Sequence, residues 1–165
     1  MNKKKGTEGE QLVDTWMQQQ GWRAFISNYY FRGGEIDRVY LGTCFSGRRA
    51  CVAVIKTVWL ENIQKLPELF DEVQMKRFFR VGQMRNLYRF GERLLSPEGW
   101  FNCRAHAVHL RVFLVVRFKA QDGLRKAHVP FAPKRLCASG GAHIYALTPE
   151  FVRKGQRTST LQITL

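Results

Sequence analysis

The stretch "GGEIDRVY", residues 33–40, and the run "VAVIKT", residues 52–57, decide how this chain is read. The glycine pair marks a turn or bulge. "EIDRVYL" then alternates as a strand, with Glu35, Asp37 and Val39 expected on one face and Ile36, Arg38 and Tyr40 on the other. "ACVAVIKTVWL" is almost wholly apolar, as a strand covered on both faces is. Lys56 near its end needs a reason, because a buried amine is costly unless it is paired or snorkels out. An acid on one strand and a lysine on the next are candidate site residues, and two residues before the lysine stands Val54.

Upstream, "TEGEQLVDTWMQQQG" reads as a first helix. Thr7 and Glu10 have the spacing of a capping box, and Leu12, Val13, Trp16 and Met17 form its apolar stripe. Glu10 sits at the edge of that stripe, so it can serve the cap or reach inward to a site. "WRAFISNYYF" reads as the strand before the glycine pair, and "TCFSGRR" as a hairpin loop after it.

Downstream, a helical region spans residues 66–95 with a break expected near Gly82. In its second part Leu87, Phe90 and Leu94 share one face, and Arg85, Arg89 and Arg93 fall at i, i+4, i+8 on the opposite one. These arginines suit either a solvated face or a ridge that contacts phosphates. "SPEG" breaks the chain, and "AHAVHLRVFLVVRF" reads as a long strand. "KAQDGLRK" suggests a hairpin turn, "HVPF" a short returning strand, and "KRLCASGGAHIYALT" a last strand behind a Gly-Gly turn.

The length of 165 residues fits one domain with a real core, and 45% hydrophobic residues exclude a disordered basic tail. The formal net charge of +14 favours a polyanionic partner. Residues 1–98 hold 16 Lys and Arg against 11 Asp and Glu, while residues 99–165 hold 11 against 2, so the basic character rises towards the C-terminal side. No apolar run approaches the roughly 18–20 residues of a membrane span. The start "MNKKKG" has no apolar segment behind it, and no signal peptide is expected. Cys44, Cys51, Cys103 and Cys137 lie far apart without a C-x-x-C pair, which argues for reduced thiols in a cytoplasmic protein over a zinc ribbon. His106, His109, His128 and His143 show no metal-ligand spacing.

"GTEGE" opening a helix, "NYYFRGGEIDRVYL", an apolar strand ending in "VIKT", and "MKRFF" opening a later helix together resemble the YraN-type endonuclease family. That family belongs to the PD-(D/E)xK nuclease superfamily, related to Holliday junction resolvases. The resemblance covers about residues 5–95, with "GEID" and its upstream "NYY" its most specific part. It implies an α/β, restriction-endonuclease-like three-layer domain with a mixed central sheet flanked by helices. A single nuclease-like domain over 1–165 is expected, with its core at 6–118 and a β-rich C-terminal extension at 119–165.

By matching position, the resemblance makes Glu10 the helix acid, Asp37 the central metal ligand and Lys56 the motif lysine that orients the attacking water. The Ile55 backbone carbonyl would add a ligand, with Glu10 or Glu35 completing the site, and the cofactor would be Mg²⁺ or Mn²⁺. Mg²⁺ demands oxygen ligands in near-octahedral geometry and would stabilise charge on the phosphodiester. Lys76 would contact phosphate, and Arg77, Arg80, Arg85, Arg89 and Arg93 extend that basic surface. Resolvase-like relatives imply a homodimer as one arrangement.

The departure is the family's E-V-K, which here reads Val54-Ile55-Lys56. Valine neither coordinates a metal nor accepts a proton, and losing one member of such a constellation costs about 10²- to 10⁴-fold in rate. The leading reading is therefore a DNA-binding protein of nuclease-like fold with a degenerate catalytic motif, recognising structure rather than sequence. The first alternative is an active Mg²⁺-dependent endonuclease whose second carboxylate has moved to Glu35, Glu61, Glu68 or Glu72. The second is a basic RNA-binding or assembly protein.

Overall fold

The computed structural model describes residues 3–31, 34–45, 47–119, 137–139 and 142–154; side chains are described from residue 8 onward, except those of residues 44, 137–139 and 154. The order is α1 (Lys3–Gln19), β1 (Arg23–Phe31), β2 (Gly34–Cys44), β3 (Gly47–Leu60), α2 (Glu72–Phe78), α3 (Val81–Leu95), β4 (Ala107–Phe118), β5 (Cys137–Ser139), β6 (Ala142–Leu147) and α4 (Pro149–Lys154). Short 3-10 turns at Ile63–Lys65 and Pro67–Phe70 lead from β3 into α2. The six strands form one sheet in the order β1-β2-β3-β4-β6-β5. β3 and β4 run parallel over Arg49–Leu60, and every other pairing is antiparallel, so the sheet is mixed.

This arrangement follows from the apolar content of β3 and β4. Both strands are buried on two faces, and a parallel pair needs a crossover, which α2 and α3 supply. One face packs under α1, where Val13 and Met17 meet Tyr40, Cys51, Ala53, Phe113 and Val115. The other face carries α2, α3 and α4, with Met75, Leu87, Phe90, Leu94, Phe151 and Val152 against Val52, Val54, Val112 and Leu114. Two glycines permit close approach. A Cβ on Gly9 of α1 would lie 1.9 Å from Thr57 Oγ1 on β3, and one on Gly34 would lie 1.8 Å from Asn86 Nδ2 on α3. The first contact seats the N-terminal half of α1 over the far end of β3, beside Asp37.

Several expectations are corrected. The helix starts at Lys3, so Thr7 lies within its regular run and Thr7–Glu10 is not a capping box. The interhelical break falls at Phe79–Arg80 rather than Gly82, because Phe79 is buried in an extended conformation and Arg80 becomes the N-cap of α3. Ile36 does not share a face with Arg38 and Tyr40; it joins Val39 in the core beneath α3. The alternation breaks at Asp37, where Asn28 on the neighbouring strand is left-handed (φ 51°) and the β2–β3 ladder begins only at Arg38.

The long strand expected at 105–118 is β4, and the strand behind the Gly-Gly turn is β6. β6 is buried along its whole length against β4, so it extends the main sheet and is no appendage. The hairpin turn and returning strand expected in "KAQDGLRK" and "HVPF" lie outside the described residues apart from Lys119, as does His128. Cys51 and Cys103 are buried free thiols. Among the described residues, no helix is long and apolar enough to cross a membrane.

Candidate functional site

Asp37 stands where β2 parts from β3. Its Oδ2 accepts the backbone N–H of Ile55 at 2.6 Å, which belongs to the peptide joining Val54 to Ile55. A side-chain carboxylate thus takes a bond that a neighbouring strand's carbonyl would otherwise make. Burial raises the Asp37 carboxyl to about 6, the Ile55 N–H opposes that rise, and the negative charges of Glu35 and then Glu10 add to it. The exposed Tyr30 phenol hydrogen-bonds Glu35 and is raised by it, with smaller contributions from Asp37 and Glu10. The charges of Glu10 and Glu35 thus both act on Asp37.

The arginine next to Asp37 was not foreseen. Arg38 is 6% exposed and forms ion pairs with Glu10 Oε2 at 3.0 Å and Asp14 Oδ1 at 3.0 Å. It also donates to the Asp37 carbonyl at 2.8 Å and to Asn28 Oδ1 at 3.4 Å. Tyr40 donates its hydroxyl to Asp14 Oδ1 at 2.7 Å. Burial alone would depress the Arg38 guanidinium, but the Asp14 and Glu10 carboxylates outweigh it and the net shift is upward. The signal for this network was present: Glu10 and Asp14 lie at i, i+4 on α1, and Arg38 occupies a strand position that alternation turns towards that helix. The buried Thr57 hydroxyl has no hydrogen-bond partner among the described residues.

Val54 is 3% exposed and packed in the apolar cluster with Ile36, Val39 and Val52. Lys56, two residues on, is exposed, and none of the ion pairs among the described residues includes it. Of the acids that could replace a carboxylate at position 54, Glu35 acts on Asp37. Glu61 is engaged by Lys119, and Glu72 by Lys76; Glu68 is exposed on the second 3-10 turn.

These donors do not fit a divalent cation well. Glu10 is committed to Arg38, Asp37 Oδ2 is occupied by an N–H, and position 54 offers no side-chain oxygen. Among the described residues, no group of three acidic, histidine or cysteine side chains is placed to hold a metal ion.

The expected basic residues fall on α2, α3 and the corner between them. Lys76 pairs with Glu72, and Arg77 and Arg80 are exposed. Arg85, Arg89 and Arg93 are exposed on the side of α3 opposite the buried Leu87, Phe90 and Leu94. Arg93 lies over the Trp100 ring at 4.1 Å, while Arg85 and Arg89 enter none of the ion pairs among the described residues. Comparison with protein-family models, with curated proteins and with solved structures gave no match to this chain.

Proposed function

We propose that this chain is a DNA-binding protein of PD-(D/E)xK endonuclease-like fold whose catalytic site is degenerate, a member by resemblance of the YraN-type group. The order helix, three antiparallel strands, helices, then a strand parallel to β3 is in keeping with a restriction-endonuclease-like core. The observation that carries the proposal is the pair of residues around one peptide. Asp37 binds the Val54–Ile55 amide, where a central metal ligand would stand, and the neighbouring position holds a buried valine where a second ligand is required. The charge of +14 and the exposed Arg85 and Arg89, which enter none of the ion pairs among the described residues, supply the phosphate-binding surface.

Binding on this reading is structure-directed, through backbone phosphates, and no residue performs hydrolysis. What the acidic cluster does is bridge β2 to β3 at Asp37 and tie α1 to the sheet through Arg38. A second reading, an active Mg²⁺- or Mn²⁺-dependent endonuclease, is favoured by one observation: Glu35 is close enough to Asp37 to raise its carboxyl.

The test is a comparison of the parent with Val54→Glu on linear and branched DNAs, with Mg²⁺ or Mn²⁺. The proposal expects an inactive parent that binds DNA in EDTA, and a variant in which cleavage appears. Metal-dependent cutting by the parent that Asp37→Ala abolishes would replace it with the second reading. Affinity for structured RNA well above that for DNA would overturn both in favour of an RNA-binding protein.

A further inference from the structure

At the opposite end of β3 from Asp37 lies a pocket of about 220 Å³ under the C-terminal half of α1. Its walls are Trp16 and Met17 of α1, Trp22 in the turn after it, and Phe113 of β4; its polar lining includes Arg49, His109 and Arg111. Arg49 and Ile55 are six residues apart along one strand, about 20 Å at the usual rise, so this pocket is separate from the acidic cluster.

The cationic groups here lack what the acidic end has. None of the ion pairs among the described residues includes Arg49 or Arg111, and no Asp or Glu lines the pocket. Arg49 Nε is buried without a hydrogen-bond acceptor among the described residues. Its guanidinium lies 4.4 Å over the Trp22 ring, and a Cβ on Gly42 would lie 3.0 Å from that Nε, so the glycine makes room for the stack. Arg111 spends one Nη1 bond on the Leu110 carbonyl at 3.0 Å, and its guanidinium has further N–H groups to donate. His109 stands edge-on to Trp22, its ring centroid 5.9 Å away. Burial first, then Arg111 and Arg49, lower its imidazole below the ordinary value, which leaves a neutral ring able to donate one hydrogen bond.

Half-buried guanidinium groups without anions are costly, and arginines beside the half-exposed Trp16 and Trp22 make a site for a ring that carries negative charge. The volume is below the roughly 300–1,000 Å³ of pockets that hold drug-sized ligands, so one ring with its charged group is the matching size. We propose that the pocket binds a single nucleotide, its base against the half-exposed Trp16 and its phosphate held by Arg49, Arg111 and His109. The nucleotide is either a free nucleoside monophosphate or the phosphorylated end of a DNA strand; both present the same base and phosphate.

Trp16 and Trp22 report occupancy through their fluorescence. The titration uses adenosine monophosphate, adenosine, inorganic phosphate, and a single-stranded oligonucleotide with and without a terminal phosphate. The monophosphate is expected to bind about tenfold or more tightly than adenosine or phosphate alone, since it makes both sets of contacts. Arg111→Gln should weaken it by about tenfold, the loss of a charge-assisted contact. Arg111→Lys keeps the charge but not the planar fork, and should fall between the two.

If the terminal phosphate tightens oligonucleotide binding and Arg111→Gln removes that gain, the strand end is the ligand. If only the free monophosphate binds, the ligand is the mononucleotide. No response to either phosphorylated ligand, or a response that both Arg111 variants leave unchanged, overturns the proposal. Duplex binding in EDTA, measured on the same variants, reports on the arginine ridge of α3 and separates failure of this site from failure of the DNA-binding reading.

Discussion

At Ile55 the third strand meets a carboxylate crowded by other carboxylates, whereas at Arg49 the same strand carries a guanidinium with no carboxylate against it. The acidic end is largely settled from within, because Arg38 is buried among Glu10, Asp14 and the Asp37 carbonyl. The cationic end has no such partner among the ion pairs of the described residues. A cluster whose charges are met inside the fold serves the fold, and one whose charges are not met is available to a ligand. That contrast turns on Arg38, and removing it should give the largest effect. Arg38→Ala leaves Glu10 and Asp14 without their cation in a partly buried setting, and should cost about 3–5 kcal/mol in denaturant unfolding. A loss below about 1 kcal/mol would mean that solvent already satisfies these acids, and the contrast between the two ends would fail.

The contrast also depends on how tightly α1 is pressed onto β3, because that contact brings Glu10 to Arg38. Gly9→Ala places a methyl group 1.9 Å from Thr57 Oγ1, so α1 or the threonine must move. The expected loss is about 1–3 kcal/mol, as for other overpacked sites. Adding Thr57→Ser to Gly9→Ala removes only the threonine methyl and should leave most of the loss, since the closest atom is the hydroxyl oxygen. Full recovery in the double variant would show that the γ-methyl, 3.5 Å away, sets the spacing instead.

A change of opposite sign is expected at Asp37. Its carboxyl is raised from 3.8 to about 6, so the folded state holds its proton more tightly than the unfolded state does. The stability this gives is complete below the unfolded value and is lost as pH rises through about 6; above that, the ionised group weighs against folding. Asp37→Asn keeps an acceptor for the Ile55 N–H and removes the charge. It should stabilise the protein by about 1–3 kcal/mol at pH about 7.5 and change little near pH about 4. Destabilisation at the higher pH would show that the carboxylate's charge, and with it a bound cation in solution, holds this end together.

Much of the frame was legible because its signals are local. The unbroken apolar runs of β3 and β4 require cover on both faces, and the spacing of Leu87, Phe90 and Leu94 identifies the buried side of α3. The face of Ile36 was not legible. Period-two alternation assumes a regular ladder, and this one is interrupted by a left-handed Asn28 opposite an aspartate that bonds to backbone. The capping box failed for a similar reason: a T-x-x-E spacing marks a helix start only if the helix starts there, and α1 begins at Lys3. In the candidate site, Asp37 and Glu10 stood out as acids beside an apolar strand. Arg38 did not, because its signal is split between two elements: the Glu10 and Asp14 spacing on α1 and the alternation of β2 have to be read together. The same limit hid the pocket at Arg49, which draws on α1, β3, β4 and β6.

The smallest effect belongs to the arginine ridge of α3, and it bears on the proposed function most directly. Arg85 and Arg89 are exposed and meet no acid among the described ion pairs, so replacing both with alanine should leave stability within about 0.5 kcal/mol. Arg93 differs, because it covers Trp100, and its loss would remove packing as well as charge. If Arg85 and Arg89 each neutralise a phosphate, the slope of log affinity against log salt on duplex DNA should fall by about 0.9 for each arginine removed. Affinity should drop by a similar factor on every sequence, because phosphate contacts carry no base information. An unchanged slope with unchanged affinity would take the ridge out of the interface and leave the basic C-terminal half as the surface to test.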